Sequence, residues 1–206
     1  MLKRLRCSLT KRLDRFWLAC DLPKNPGRLF VSDASFWRPE RKSESGWIGH
    51  APFAFWLIAT HQPRTVVELG THTGYSFLCF CQAIKKLGYG ATSAAIDTWK
   101  GDEHAGIYDD NVLEDLRSYH DARYGGFSTL IESTFDNALH RFADGSIDLL
   151  HIDGQHFYED VRHDFQTWRR KLSDRAIVLF HDTDVRDREF GVFRLWSEVV
   201  RDARAP

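Results

Sequence analysis

The chain has 206 residues, enough for one α/β domain with a full core and too short for two comfortable ones. Its 28 lysines and arginines against 29 aspartates and glutamates leave a net charge of −1, so nothing in the bulk points to nucleic acid. The four cysteines, Cys7, Cys20, Cys79 and Cys81, show no zinc-type pairing, and with no secretory signal they indicate free thiols in a reducing cytoplasm.

Residues 1–20, MLKRLRCSLTKRLDRFWLAC, are strongly basic, with Leu2, Leu5, Leu9, Leu13, Phe16 and Trp17 at helical spacing. This predicts an amphipathic helix, too polar to span a bilayer, that docks on the domain or a partner or lies on an anionic membrane surface. From Asp21 to Gly49 the chain is rich in Pro, Gly, Ser and charge, so residues 1–49 read as an irregular extension and residues 50–206 as the domain. Ala51 to His61 is apolar and aromatic enough for a buried helix, with Pro52 in a helix-compatible early position.

Strands and helices then alternate. Strands are expected at Thr65–Leu69, Thr92–Asp97, Ser128–Glu132, Ile147–Ile152 and Ala176–His181, and helices at Tyr75–Leu87, Val112–Ala122, Asp136–Phe142, Tyr158–Leu172 and Phe190–Arg201. Such alternation implies a Rossmann-like, doubly wound, mainly parallel sheet covered on both faces, with ligands at the carboxyl ends of the strands. Cys79 and Cys81 are expected in the core, facing different directions from one helix.

Within this pattern the run VVELGTHTGYS, Val66 to Ser76, is a short apolar strand ending in a turn with Gly70 and Gly74 spaced G-x-x-x-G. Glycines there permit a sharp turn and close approach to a ligand. His72 stands where a dinucleotide fingerprint needs its second glycine, which disfavours a diphosphate and suits a nucleoside cofactor without phosphate. Asp97, at the end of the next strand, lies where a ribose-binding acid belongs.

The E-x-G-x-x-x-G-x-S run resembles the first motif of class I methyltransferases, which use S-adenosylmethionine. That resemblance implies that Glu68, Gly70, Thr71, His72, Gly74 and Ser76 surround the methionine part of the cofactor and that Asp97 holds the ribose. It also places Thr98 and Trp99 beside the adenine, where an indole offers a stacking face. Methyltransferases of this class complete the sheet with antiparallel strands, for which the chain leaves no room before Pro206; an open edge would favour self-association or cover by a partner.

A second dense region runs from Ile147 to Thr183. Two strands end in acids, Asp153 and Asp182, and neighbouring parallel strands would bring them together with His156 and His181. Oxygen donors suit magnesium, and the histidines widen the choice toward manganese, iron or zinc. The run HIDG-x-H-x-Y-E-x-V-x-x-D and the later His-Asp pair are similar to methyltransferase domain family 24, from about Trp47 to Trp196. By that resemblance Asp153 and Asp182 bind a divalent cation; His181, Thr183 and Asp184 are the neighbours from which a third ligand is drawn.

A hydroxyl is a weak nucleophile, so donor and acceptor must be held in line and the acceptor's proton removed by a metal or a base, the latter worth about 10²–10⁴-fold. His156 is the first candidate base, His181 the second, with Asp153 beside them; His151 reads as a hydrogen-bonded core residue. Asp160 and Asp164, near Arg162 and His163, read as a solvated helix face. The polar linker Trp99–Asn111 reads either as a lid or as a solvated crossover. The function expected is O-methylation of a sugar or other small hydroxylated molecule. The alternative is a noncatalytic scaffold that keeps the fold.

Overall fold

The computed structural model describes residues 31–109 and 111–204, so the expected basic helix at 1–20, with Cys7 and Cys20, lies outside the described residues. A five-stranded sheet is built from β1 (Thr65–Leu69), β2 (Thr92–Asp97), β5 (Ser128–Glu132), β6 (Ile147–Ile152) and β7 (Leu172–Phe180) in the order β5-β2-β1-β6-β7. Every neighbouring pair is parallel. A separate antiparallel hairpin pairs β3 (Gly101–Asp102) with β4 (Gly106–Ile107). The helices are α1 (Ala51–His61), α2 (Tyr75–Leu87), α3 (Asn111–Tyr124), α4 (Phe135–Ala138), α5 (Tyr158–Trp168) and α6 (Val192–Arg204).

The period of two along each strand divides the core. Val66 and Leu149 face a cluster with α1 and α2, whereas Val67, Leu69, Ile96, Leu150 and Ile152 face one with α5 and α6. Burial on both faces explains the near-continuous apolar runs of β1 and β6. Phe55, Phe77 and Phe80 are fully buried, each contributing about 1.5–3 kcal/mol by leaving water. Cys79 and Cys81 are buried in different clusters, as two positions apart on a helix require.

A third cluster docks α3 and includes a buried polar chain. His120 sits 2.7 Å from Ser128 Oγ through Nε2 and 2.7 Å from Asp121 Oδ1 through Nδ1, while Cys81 Sγ lies 3.4 Å from the same serine oxygen. A neutral His120 fits this arrangement, its Nδ1 donating to the aspartate and its Nε2 accepting from the serine hydroxyl.

The structure departs from the sequence pattern at several places. The last strand starts at Leu172 rather than Ala176, and α5 stops at Trp168, followed by a 3-10 turn at Arg169–Lys171. The segment Ser173–Arg175 is polar and reads as a turn, yet it extends the edge strand through a register shift between Ile147 and Leu149. Asp164 is buried, not solvated, because α5 turns Val161, Asp164, Phe165 and Trp168 inward. Residues 31–49 are docked on the domain: Ala34 and Trp47 are both buried in the core with α1 and α2. β7 pairs with β6 alone among the described residues, and no antiparallel strand joins this sheet there.

Connections leave β1 toward β2 and leave β6 toward β7, so the strand order reverses between these two neighbours. A crevice opens outside the carboxyl ends of β1 and β6 at such a reversal. Gly70 and Asp153 stand at its two lips.

Candidate functional site

The turn after β1 is held by backbone bonds that only its sequence allows. Gly70 (φ 83°) and Gly74 (φ 83°) occupy left-handed conformations, and Gly74 starts α2. A Cβ on Gly70 would lie 2.0 Å from the carbonyl oxygen of Asp153, so glycine alone lets β1 and β6 close on one another here. A Cβ on Gly74 would lie 2.4 Å from Leu116 of α3.

Asp97 organises this turn. Its Oδ2 accepts from the backbone N–H of Thr71 (2.8 Å) and His72 (2.9 Å), and its Oδ1 accepts from that of Trp99 (2.8 Å). A carboxylate has about four acceptor positions, so one remains for a hydroxyl in the adjoining cavity. Trp99 does not offer a stacking face: it is buried beside Phe77 and Leu78, and its Nε1 donates to the carbonyl of His72. The residue packed against His72 is Tyr108, with ring centroids 4.2 Å apart and the planes tilted by 30°.

The cavity has a volume of about 610 Å³. Gly70, Asp97 and Thr98 line it from the strand ends, Tyr108 and the β3–β4 hairpin from above, Thr134 and Phe135 from the start of α4, and Asp153 and Gly154 from the end of β6. This volume lies within the range of small-molecule sites and accommodates a nucleoside. Glu68, Thr71, His72, Gly74, Ser76 and Trp99 shape the turn without lining the cavity. Tyr108, Thr134 and Phe135 escaped the sequence reading. Phe135 follows the strand end Glu132 closely, and its ring lies where a Cβ on Gly154 would meet it at 2.5 Å, a close approach visible only after folding.

Asp153, His156, His181 and Asp182 converge as the strand ends implied. Asp153, His156 and His181 each offer a ligand atom within 4.8 Å of the others. His181 Nδ1 is 3.2 Å from Asp153 Oδ1 and 3.1 Å from Asp182 Oδ1. His156 Nε2 is 3.2 Å from Asp182 Oδ2 and 3.6 Å from Asp153 Oδ1, yet it is buried and lacks the alignment of a hydrogen bond to either. Asp182 holds its place in a left-handed conformation, φ 52°. Thr183 and Asp184 stay outside the cluster, and the exposed Asp184 carboxylate faces Arg186 instead.

Burial works to lower the pKa of both imidazoles, but the two carboxylates outweigh it, pushing His156 up to about 9 and His181 up to about 10. Burial works to raise both carboxyls, and the imidazoles overcome it, holding Asp153 and Asp182 well below the usual carboxylate range. The two carboxylates thus favour the protonated form of both imidazoles, the form in which neither can act as a base, and a cation between them would take the proton's place. A buried nitrogen facing two carboxylates without a hydrogen bond fits that substitution, so the donor set suits a divalent ion of the nitrogen-tolerant kind.

Beneath this centre His151 is a core residue, as expected, but not an inert one. Its Nδ1 pairs with Glu68 Oε2 at 2.8 Å, both side chains being fully buried, and burial pushes the Glu68 carboxyl upward against the pull of His151. Trp47 packs edge-on against His151 at 4.7 Å and stacks near His181 at 6.0 Å. A residue from the irregular extension thus walls the centre.

A family model described as a methyltransferase domain, Methyltransf_24, matches residues 67–183, more than half of the chain. The uncharacterized protein y4gI of Sinorhizobium fredii is 48% identical over 156 residues, which are 76% of this chain and 17% of that protein. The chain therefore spans under a fifth of the length of the curated relative it matches. Among solved structures, cofactor-bound Rv0187 from MTB superposes with a TM-score of 0.57 at 18% identity, covering 84% of this chain and 74% of that one. The O-methyltransferase TomG from Streptomyces achromogenes, in complex with SAM, gives 0.56 at 15% identity, covering 90% and 85%. SAH-bound PaMTH1 of Podospora anserina gives 0.51 at 17% identity, covering 78% and 67%. The chain belongs to the methyltransferase-domain family, with the class I S-adenosylmethionine-dependent methyltransferase fold.

Proposed function

We propose that this chain transfers a methyl group from S-adenosylmethionine to an oxygen of a small, neutral, hydroxylated acceptor, a sugar being the preferred class. One observation carries the reading: Asp153 lines the cofactor-sized cavity and also belongs to the His/Asp centre, so donor pocket and reaction centre share a wall. Gly70 makes that contact close enough to matter.

The bound cofactor supplies an electrophilic sulfonium methyl. The protein's part is placement. The Gly70–Gly74 turn shapes the floor, Asp97 keeps one acceptor position for a ribose hydroxyl, and Phe135 and Tyr108 give flat apolar walls beside the base. Asp153, Asp182 and His181 would hold a divalent cation, whose Lewis acidity would lower the pKa of an acceptor hydroxyl. His156, whose buried Nε2 faces both carboxylates, would join that cation as a ligand, so the role of a histidine base in lowering the barrier to losing the acceptor's proton would pass to the cation. Asp97, Asp102, Glu103 and Asp153 line the cavity against a single basic residue, Lys100, which supports a neutral polyol over an anionic acceptor.

Isothermal titration of the intact protein with S-adenosylmethionine is the deciding measurement. Saturable binding is expected. Its absence would remove the methyl-transfer reading and leave the noncatalytic scaffold in its place.

A further inference from the structure

We propose that His104 is a positioning residue that carries the closure of the β3–β4 hairpin into the His/Asp centre. The inference rests on the methyl-transfer reading and goes beyond it, since it assigns the hairpin a part in organising the acceptor side.

The hairpin touches two places at once. At its base, the Tyr108 ring packs at a tilt against His72 of the glycine turn and Trp99 Nε1 donates to the His72 carbonyl. Along its length, Gly101, Asp102, Glu103, Gly106 and Ile107 line the cofactor cavity. At its tip, Asp102 Oδ1 accepts from the backbone N–H of His104 and Ala105, both at 2.7 Å, which fixes the turn that projects the His104 ring.

That ring enters an aromatic box. It lies 4.4 Å from Phe157, 4.5 Å from Phe190 and 5.5 Å from His156, while Phe190 itself stacks on His156 at 4.4 Å with 19° between planes. Two reciprocal bonds fasten it: His104 Nε2 donates to the carbonyl of Arg188 at 2.9 Å, and Arg188 Nη2 donates to the carbonyl of His104 at 2.6 Å. The ring is thus held through Nε2, and its buried Nδ1 has no hydrogen-bond partner.

The partner segment needs fastening. Arg188 and Glu189 both hold left-handed conformations, which such side chains rarely adopt and which persist only where neighbours impose them, and Asp182 holds the same conformation at the start of the segment. His104 and its bonds to Arg188 are such a restraint, applied from an element whose other face lines the cofactor cavity. Cofactor contacts with the hairpin would therefore be transmitted through one ring to His156 and to the segment that carries Asp182. This predicts that the cofactor orders the acceptor side before the acceptor arrives.

The test compares wild type, His104→Ala and His104→Phe. Hydrogen exchange of the amides at 182–190 is read with and without sinefungin as the cofactor probe, and Mn²⁺ affinity is read by electron paramagnetic resonance. Sinefungin should slow exchange at 182–190 in wild type. His104→Ala should raise exchange there and weaken Mn²⁺ about tenfold, the usual scale for losing a supporting contact to a ligand, while sinefungin affinity stays within about threefold. His104→Phe, which keeps the ring in the box, should recover most of the Mn²⁺ affinity. Equal exchange at 182–190 in wild type and His104→Ala would overturn the proposal. Failure of wild type to bind sinefungin or Mn²⁺ would instead refute the cofactor reading, and exchange in the unliganded protein would still judge His104.

Discussion

Two histidine–carboxylate clusters in this protein look alike at the level of distances and differ in what they can do. Ser128, His120 and Asp121 reproduce the spacing of a nucleophile triad, with 2.7 Å on each side of the imidazole. Yet Ser128 on β5 and His120 on α3 are buried against each other and neither lines the cofactor-sized cavity, while Cys81 beside them has its thiol pushed up to about 12, chiefly by burial. The Asp153–His156–His181–Asp182 centre has looser distances but sits at strand ends, partly exposed, beside a cavity. Access and position in the sheet, more than the pattern of atoms, separate a reaction centre from a structural latch.

The contrast breaks most easily at Asp182. Replacing it with Asn should cut methyl transfer by about 10²–10³-fold, the scale of losing one electrostatic group from a reaction centre, while the melting temperature hardly moves. An unchanged rate would exclude Asp182 from the reaction. The matching change in the sealed cluster, His120→Ala, should do the reverse. It leaves a cavity beside the buried Ser128 hydroxyl, for a loss of about 2–4 kcal/mol in urea unfolding, with cofactor binding retained at low temperature. If His120→Ala kept full stability but lost turnover, the assignment of the two clusters would be inverted.

A buried acid outside both clusters, Asp164, sharpens the comparison, because there burial outweighs the neighbouring imidazole. Burial, foremost, and then Asp136 and Asp160 push the Asp164 carboxyl up to about 7, while His163 opposes them. A carboxyl whose pKa is raised by folding binds its proton more tightly in the native state, so its contribution is full at acid pH and is lost as pH rises from roughly 4 to about 7. Asp164→Asn should therefore stabilise the protein by about 1–3 kcal/mol at pH 8 and hardly at all at pH 4, read as the pH dependence of unfolding. The smallest effect belongs to Ser128→Ala, about 1 kcal/mol, since His120 keeps its bond to Asp121. A larger loss would mean that the serine, not the imidazole, anchors α3.

Much of the frame was legible from the chain. The bounds of β1, β2, β5, β6 and α2 agree with the apolar runs and glycine signals that mark them, because both sheet faces are covered and Gly74 and Gly88 bracket the helix. The convergence of Asp153 and Asp182 followed from parallel neighbours ending at one edge. What escaped depends on contacts between distant segments. Trp47 lies in a stretch whose composition reads as a loop, and its burial against His151 comes from how residues 31–49 fold back. Trp99 left its expected place beside the adenine because the indole found a core position and a carbonyl to donate to, and Tyr108, which had no role in the sequence reading, lies against His72 of the turn. Polar Ser173–Arg175 became strand because an edge tolerates what a central strand would not.

The left-handed backbone at Asp182 has a bearing on how such a domain ages in evolution. Asparagine, aspartate and glycine are the residues that accept this conformation most readily, so they are the replacements the fold itself tolerates best. Of the three, aspartate alone brings a negative charge. A single base change in its codon reaches either of the others, and the resulting protein would fold, retain its cavity and lose the carboxylate proposed for the reaction. Silent members that look intact in every other respect are the drift this position invites.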